Sequence, residues 1–174
     1  QGVSSAASDV YKRQLQGDPF VLADTIDLWI EMERNALLDL IQKVSLFVIN
    51  DTEAEELTNQ NNIILAGQKL RQMGPKSVII KKGEHGAILF HEDGMFALPA
   101  FPVTDLRDPT GAGDCFCGTF LSLIAQGVAL LEAAEYANAA GAISVTRRGP
   151  MEGNSSPEEI TQFLKHADPK ALHL

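Results

Sequence analysis

The chain has 174 residues, of which 45% are apolar and 21% are charged, and its formal net charge is −9. This length suits one soluble domain with a hydrophobic core, and the negative charge makes nucleic-acid backbones and anionic membrane surfaces poor partners. No apolar run reaches the roughly 20 residues that a membrane-spanning helix needs. The two cysteines, Cys115 and Cys117, are too close in sequence to cross-link a fold, which is typical of a protein from the reducing cytoplasm.

The first residues differ in composition from the rest of the chain. The run from Gly2 to Ser8 has neither charge nor apolar periodicity, and it lacks the apolar centre of a secretory signal. We therefore expect residues 1–14 to be a non-native leader and residues 15–174 to carry the fold.

From Pro19 onward, short apolar runs alternate with helical patterns. Buried strands are predicted at residues 20–23, 46–49 and 77–80, and a hairpin is predicted around Asp93-Gly94. Helices are predicted at residues 36–44, 64–73, 111–126 and 131–145, with further helix starts at Thr52, from a capping box with Glu55, and at Ser156. Strands that alternate with helices predict an α/β sandwich with a largely parallel sheet.

The strongest chemical motif is the segment 108–114, which directly precedes an apolar helix. Small residues at Gly111, Ala112 and Gly113 let backbone amides approach an anion, and a helix N-terminus favours negative charge. Asp114 would there be a base that orients an acceptor hydroxyl and takes its proton as a phosphoryl group arrives. The alternative is a purely structural role, in which an aspartate caps the helix after a glycine turn.

Two other glycine motifs are excluded by spacing. A dinucleotide fingerprint would need glycine where the chain has Phe116, and a Walker loop needs a Gly-Lys-Ser/Thr sequence that the chain lacks. A nicotinamide-dependent oxidoreductase is therefore disfavoured.

The segment 108–114, followed by Cys-Phe-Cys-Gly, resembles the C-terminal signature of the ribokinase-like (PfkB) carbohydrate kinases. The resemblance runs from about Asp18 to the C-terminus and includes, in the family's order, residues 50–53, 81–86, 138–140 and 145–149. It implies a ribokinase-like three-layer α/β sandwich, and it implies an ATP-dependent kinase that phosphorylates an alcohol group of a sugar or nucleoside.

The resemblance also implies a role for each matching position. Asp114 would be the catalytic base, and the amides of Gly111, Ala112 and Gly113 would form the anion hole. Nucleotide-binding residues would be Lys81, Gly83, Glu84, Gly86 and Asn138, while Asn50 and Glu53 would organise Mg²⁺, partly through water. Asp108, Thr110, Ser144, Arg147 and Gly149 match positions that form a monovalent-cation site, so K⁺ is a further candidate cofactor.

Two departures from the family pattern shape the functional hypotheses. Relatives carry an Asp-x-Asn-x-Arg-like segment where this chain has Asp24-Thr25-Ile26-Asp27, so the family's Asn and Arg lack clear counterparts. The family's N-terminal half is also not in the sequence, so we expect a truncated, C-terminal part of a kinase domain. The kinase hypothesis thus stands beside a second one, a nucleotide-binding fragment without turnover. The resemblance leaves a homodimeric parent open and does not name the acceptor.

Overall fold

Five strands form one sheet in the order β1-β2-β3-β4-β5 in the computed structural model, which describes residues 19–149 and 155–166. The strands are β1 (Leu22–Asp24), β2 (Leu46–Asn50), β3 (Ser77–Lys81), β4 (Ala87–His91) and β5 (Gly94–Leu98). The first three are parallel, with Leu22 opposite Leu46 and Leu46 opposite Ser77. The turns before β4 and β5 are too short for a parallel crossover, so each of these two strands runs antiparallel to the strand before it. The predicted leader, residues 1–14, lies outside the described residues.

The described helices connect these strands or follow them. They are α1 (Asp27–Met32), α2 (Arg34–Ile41), α3 (Asp51–Thr58), α4 (Ile63–Gln72), α5 (Ala112–Ala125), α6 (Leu130–Ser144) and α7 (Pro157–His166). A 3-10 turn, Gly83–His85, separates β3 from β4. The predicted strands, the hairpin and the helices are confirmed to within a few residues.

Two details of the sequence interpretation are wrong. The short helix α1 was not predicted, and α3 begins at Asp51 with Asn50 as its N-cap rather than at Thr52. The capping box joins Asn50 and Glu53, because β2 extends through Asn50 and the chain turns into the helix directly afterwards.

The chain divides into two compact units. The first takes in the described residues through 81 together with Ile88–Met95, and the second takes in Lys82–Ala87 and the residues from 96 onward. In the first unit, alternate side chains of β2 and β3 pack against α2, α3 and α4 around Phe47, Ile49, Val78 and Ile80. Side chains on the other face of the same strands, such as Val48, are fully buried as well, as in other parallel sheets.

In the second unit, α5 and α6 pack closely because the buried face of α6 is made of small residues. Ala133, Ala134, Ala137 and Ala140 are at most 2% exposed. A Cβ added to Gly141 would lie 3.5 Å from the carbonyl oxygen of Ala112 at the start of α5. This face of α6 therefore holds the first turn of α5, where the motif of residues 108–114 lies.

Candidate active site

The first turn of α5 presents backbone amides without acceptors. Gly111 is the N-cap residue, with a φ of 86° that favours glycine, and it makes no side-chain cap. The amide of Ala112 donates to the Pro109 carbonyl at 3.2 Å, whereas the amides of Gly111, Gly113 and Asp114 donate to no acceptor within residues 19–149 and 155–166. Three unpaired donors at a helix N-terminus form a cradle for an anion.

The cradle differs in one member from the predicted anion hole. The amides of Gly111 and Gly113 have no acceptor in the described part of the chain, but the Ala112 amide is already used in a tight turn, and the amide of Asp114 takes its place. The Asp114 carboxylate is exposed and lies in the first turn, three residues after the cap. An exposed carboxylate beside the cradle can accept a proton from a hydroxyl group that approaches a bound phosphate.

The loop before the cradle is held by Asp108. Its two carboxylate oxygens accept hydrogen bonds from the amides of Thr110, at 2.9 Å, and Gly149, at 3.0 Å. A further hydrogen bond, from the Thr110 hydroxyl, is the largest cause of a lowered pKa of Asp108, and the two amide bonds lower this pKa further. The amides of Arg107 and Asp108 in turn donate to the carbonyl of Val145, at the end of α6. Asp108 is thus a fixed carboxylate that shapes the loop.

The predicted nucleotide loop is a compact turn in the second unit. The Lys82 amide donates to the Gly86 carbonyl at 2.7 Å, and the Gly86 amide donates to the Gly83 carbonyl at 3.2 Å. Gly83 and Gly86 both have positive φ, at 54° and 81°. The Glu84 side chain is 88% exposed, and its carboxylate lies 3.9 Å from His85.

Asn138 of α6 is half-buried and contacts the segment after β5. Its side-chain amide nitrogen donates to the backbone carbonyl of Pro99 at 2.7 Å, just after β5. Asn138 stays a predicted nucleotide-binding residue, and no local pattern of the sequence indicates its bond to Pro99.

The first unit gathers polar residues at the carboxyl ends of its parallel strands. Asn50 and Glu53 cap α3 reciprocally: the Asn50 side chain accepts from the Glu53 amide at 2.7 Å, and Glu53 Oε2 accepts from the Asn50 amide at 3.0 Å. Lys81 ends β3 and lies opposite Asn50, and its ammonium bonds both carboxylate oxygens of Asp24 at 3.0 and 3.2 Å. Ligands of open α/β sheets bind outside this edge.

Glu53 carries a buried carboxyl group, and burial disfavours its charged form. It is 4% exposed, and burial raises the pKa of its carboxyl. The Asn50 amide lowers that pKa, as does the charge of Lys81, while the negative charges of Asp27 and Asp24 raise it further. A buried, perturbed carboxylate at this edge is typical of functional sites.

The predicted cation loop contains one orphaned atom. The Ser144 hydroxyl is buried without a hydrogen-bond partner among the described residues. The Arg147 guanidinium forms an ion pair with Glu159 of α7, and the Arg147 amide donates to the Ser144 carbonyl at 3.0 Å. Of the five predicted cation residues, Ser144 is the one whose side chain offers a buried oxygen atom without a partner in the part of the chain that the structure describes.

The described residues hold neither a cluster of metal ligands nor a helix that could span a membrane. No three His, Cys, Asp or Glu side chains are grouped so as to hold a metal ion within these ranges. None of the helices in the described part of the chain has the length and apolar character to cross a membrane.

Residues 8–157 match the family model of the pfkB family carbohydrate kinases. The chain belongs to this family. It is 33% identical over 141 residues to a 2-dehydro-3-deoxygluconokinase of Thermoproteus tenax, with 79% of this chain and 43% of the relative covered.

Two solved structures are also similar to the chain. The aminoimidazole riboside kinase of Salmonella enterica, complexed with aminoimidazole riboside and an ATP analog, superimposes with a TM-score of 0.80 at 28% identity, covering 91% of this chain and 57% of that one. An E. coli protein described as a ribokinase II, in complex with ATP and Mg²⁺, superimposes with a TM-score of 0.74 at 33% identity, covering 82% and 47%. The predicted ribokinase-like α/β fold is confirmed, and the chain spans about half the length of these proteins or less.

Replacing Glu53 by Gln tests whether its burial costs stability. Gln can still accept from the Asn50 amide, so the capping box survives. Since the folded pKa of Glu53 lies above 4.5, the folded state binds this proton more tightly, and wild-type stability falls as the pH rises through the folded pKa. We expect Glu53→Gln to raise the melting temperature at pH 7, with the gain shrinking to nothing towards pH 4.5.

Thermal unfolding of both proteins between pH 4 and pH 7 makes the measurement. A difference that stays constant across this range would contradict an unfavourable charge at Glu53. A lower melting temperature of the variant at pH 7 would show that the carboxylate stabilises the fold.

Proposed function

We propose that this chain is the nucleotide-binding part of an ATP-dependent kinase that transfers a phosphoryl group to an alcohol group of a sugar or nucleoside. The observation that carries the proposal is the first turn of α5, where unpaired amides of Gly111, Gly113 and Asp114 lie beside the exposed Asp114 carboxylate. The amides would hold the transferring phosphate, and Asp114 would accept the proton of the acceptor hydroxyl.

In this proposal the nucleotide binds to the second unit, at the turn formed by Gly83, Glu84 and Gly86. The turn's glycines bring backbone close to a ligand without side chains between them. Lys81 stays a predicted nucleotide-binding residue, and its ammonium bonds Asp24 within the first unit. The complexes of the two solved relatives with ATP or an ATP analog support a nucleotide of this class.

The Asn50–Glu53 pair fits Mg²⁺. One Glu53 carboxylate oxygen accepts a hydrogen bond from the Asn50 amide. The other oxygen accepts none from the described residues, so it can accept a hydrogen bond from metal-bound water. Mg²⁺ keeps several of its waters and needs only one or two carboxylates, so a cage of three protein ligands is not required. When bound, the ion would neutralise charge on the phosphates.

A monovalent cation such as K⁺ is proposed at the loop of Asp108, Thr110, Ser144, Arg147 and Gly149. The buried Ser144 hydroxyl, which has no partner among the described residues, fits such an ion.

The proposed phosphate acceptor is a small molecule. We also propose that the protein acts in the cytoplasm.

The second candidate function is nucleotide binding without turnover. The chain covers 43% of the Thermoproteus tenax relative and 57% of the Salmonella enterica structure, so residues that bind the acceptor in relatives need not all be present. Binding and transfer therefore need separate measurements.

The test is calorimetric titration of the chain with ATP, ADP and AMP, with and without Mg²⁺, followed by transfer assays with a panel of sugars and nucleosides. If the amides of α5 hold phosphate, ATP should bind more tightly than ADP, and ADP more tightly than AMP. Equal affinities for the three nucleotides would contradict the cradle. Binding of ATP without transfer to any acceptor would favour the second candidate.

A further inference from the structure

Helix α6 contacts three separate segments of the second unit. Asn138 and Gly141 stand at positions i and i+3 and share a helix face, and Val145 is the C-cap residue directly after the helix. Asn138 bonds the Pro99 carbonyl, Gly141 lies against the first turn of α5, and the Val145 carbonyl accepts the amides of Arg107 and Asp108. A single rigid helix thus sets the positions of these loops.

The segment that Asn138 holds is the one on which the Gly83–Gly86 turn rests. A Cβ added to Gly86 would lie 2.1 Å from the Leu98 carbonyl oxygen, 2.7 Å from the Ala100 nitrogen and 2.9 Å from the Pro99 carbonyl carbon. The backbone of Gly86 is therefore in direct contact with residues 98–100, and the Asn138 bond holds the same segment from the side of α6.

We infer that Asn138 is a positioning residue for the nucleotide turn and acts on it through Pro99. One N–H of its side-chain amide makes the 2.7 Å bond to Pro99, and this bond ties the segment under the turn to α6. The inference rests on the proposed function for its effect on nucleotide binding, but the mechanical link from α6 to the turn exists without a nucleotide.

The test compares Asn138→Asp, which keeps the shape and loses the donor, with Asn138→Ala and Asn138→Gln. Glu135→Gln, at an exposed position of the same helix, is the matched control. Hydrogen exchange of the nucleotide-free protein reports on the turn, where the amides of Lys82 and Gly86 are bonded. We expect faster exchange of these amides in Asn138→Asp and Asn138→Ala, with Asn138→Gln intermediate and Glu135→Gln unchanged.

Nucleotide titrations supply the second readout. Loss of the hydrogen bond between Asn138 and Pro99 should weaken the binding affinities for ATP and for GTP by the same factor, about 2- to 10-fold. Unchanged exchange at Lys82 and Gly86 in a folded Asn138→Ala protein would overturn the inference, as would a loss confined to ATP, which a direct base contact would cause. If the wild-type chain binds no nucleotide, the proposed function fails, and the exchange data alone decide whether Asn138 positions the turn.

Discussion

Asp114→Asn should lower kcat by about 10²- to 10⁴-fold in the full-length protein that carries this sequence, with little change in KM for ATP. Asn keeps the size and a hydrogen-bond acceptor but cannot take the proton of the acceptor hydroxyl. The structure removes the main structural explanation for Asp114, because the N-cap of α5 is Gly111 and no side chain caps the helix. Loss of one first-turn charge should cost only about 0.3–1 kcal/mol.

Glu132→Gln is the matched control for Asp114→Asn. Glu132 is the acidic residue in the first turn of α6, so this variant also removes a negative charge from a helix start. We expect similar melting temperatures for the two variants and a loss of kcat only in Asp114→Asn. Near-wild-type kcat in a folded Asp114→Asn protein would refute the assignment of the base, and a collapsed melting temperature would make Asp114 structural.

Gly86→Ala should destabilise the second unit far more than Gly83→Ala does. Both glycines have positive φ, so alanine costs about 1–2 kcal/mol or more at each. Gly86, with φ 81° and ψ −142°, also lies outside the left-handed helical region, in a conformation that residues other than glycine rarely adopt. Only at Gly86 does the new Cβ meet backbone, 2.1 Å from the Leu98 carbonyl oxygen, whereas no described atom lies within 4 Å of a Cβ at Gly83. Overpacking adds about 1–3 kcal/mol, and each kcal/mol lowers the melting temperature by about 2–4 °C in a chain of this size.

The pair also tests the nucleotide site. Gly83→Ala leaves the fold nearly intact, so a weaker ATP affinity in that variant would come from the Cβ at the surface of the turn. Gly83→Val enlarges this obstacle, and its affinity should fall further. Unchanged ATP affinity in both Gly83 variants would remove the turn from the nucleotide site, and equal melting temperatures for Gly86→Ala and Gly83→Ala would contradict the close approach to residues 98–100.

The order of strands and helices was predictable because it depends on local patterns. Apolar runs as short as residues 46–49 and 77–80 favour buried strands over helices, and the periodicity of residues 111–126 is that of a helix. Helix α1 escaped prediction since its six residues are too few to show a helical period. The start of α3 was misplaced because Asn50-x-x-Glu53 and Thr52-x-x-Glu55 both have the spacing of a capping box, and only the end of β2 selects the first.

The residues of the candidate site also fall into two groups, those in local motifs and those joined by contacts between distant parts of the chain. Local motifs made three parts of the site predictable: the glycines and Asp114 at the start of α5, the turn at Gly83–Gly86, and the Asn50–Glu53 pair. The bonds from Asn138 to Pro99 and from Lys81 to Asp24 join residues 39 and 57 positions apart. Such contacts leave no trace in local periodicity, since they depend on which strand ends and helix faces become neighbours. Local patterns likewise do not reveal that the Ala112 amide bonds Pro109, that Gly86 lies against residues 98–100, or that burial raises the pKa of Glu53, because these features depend on how the folded chain packs.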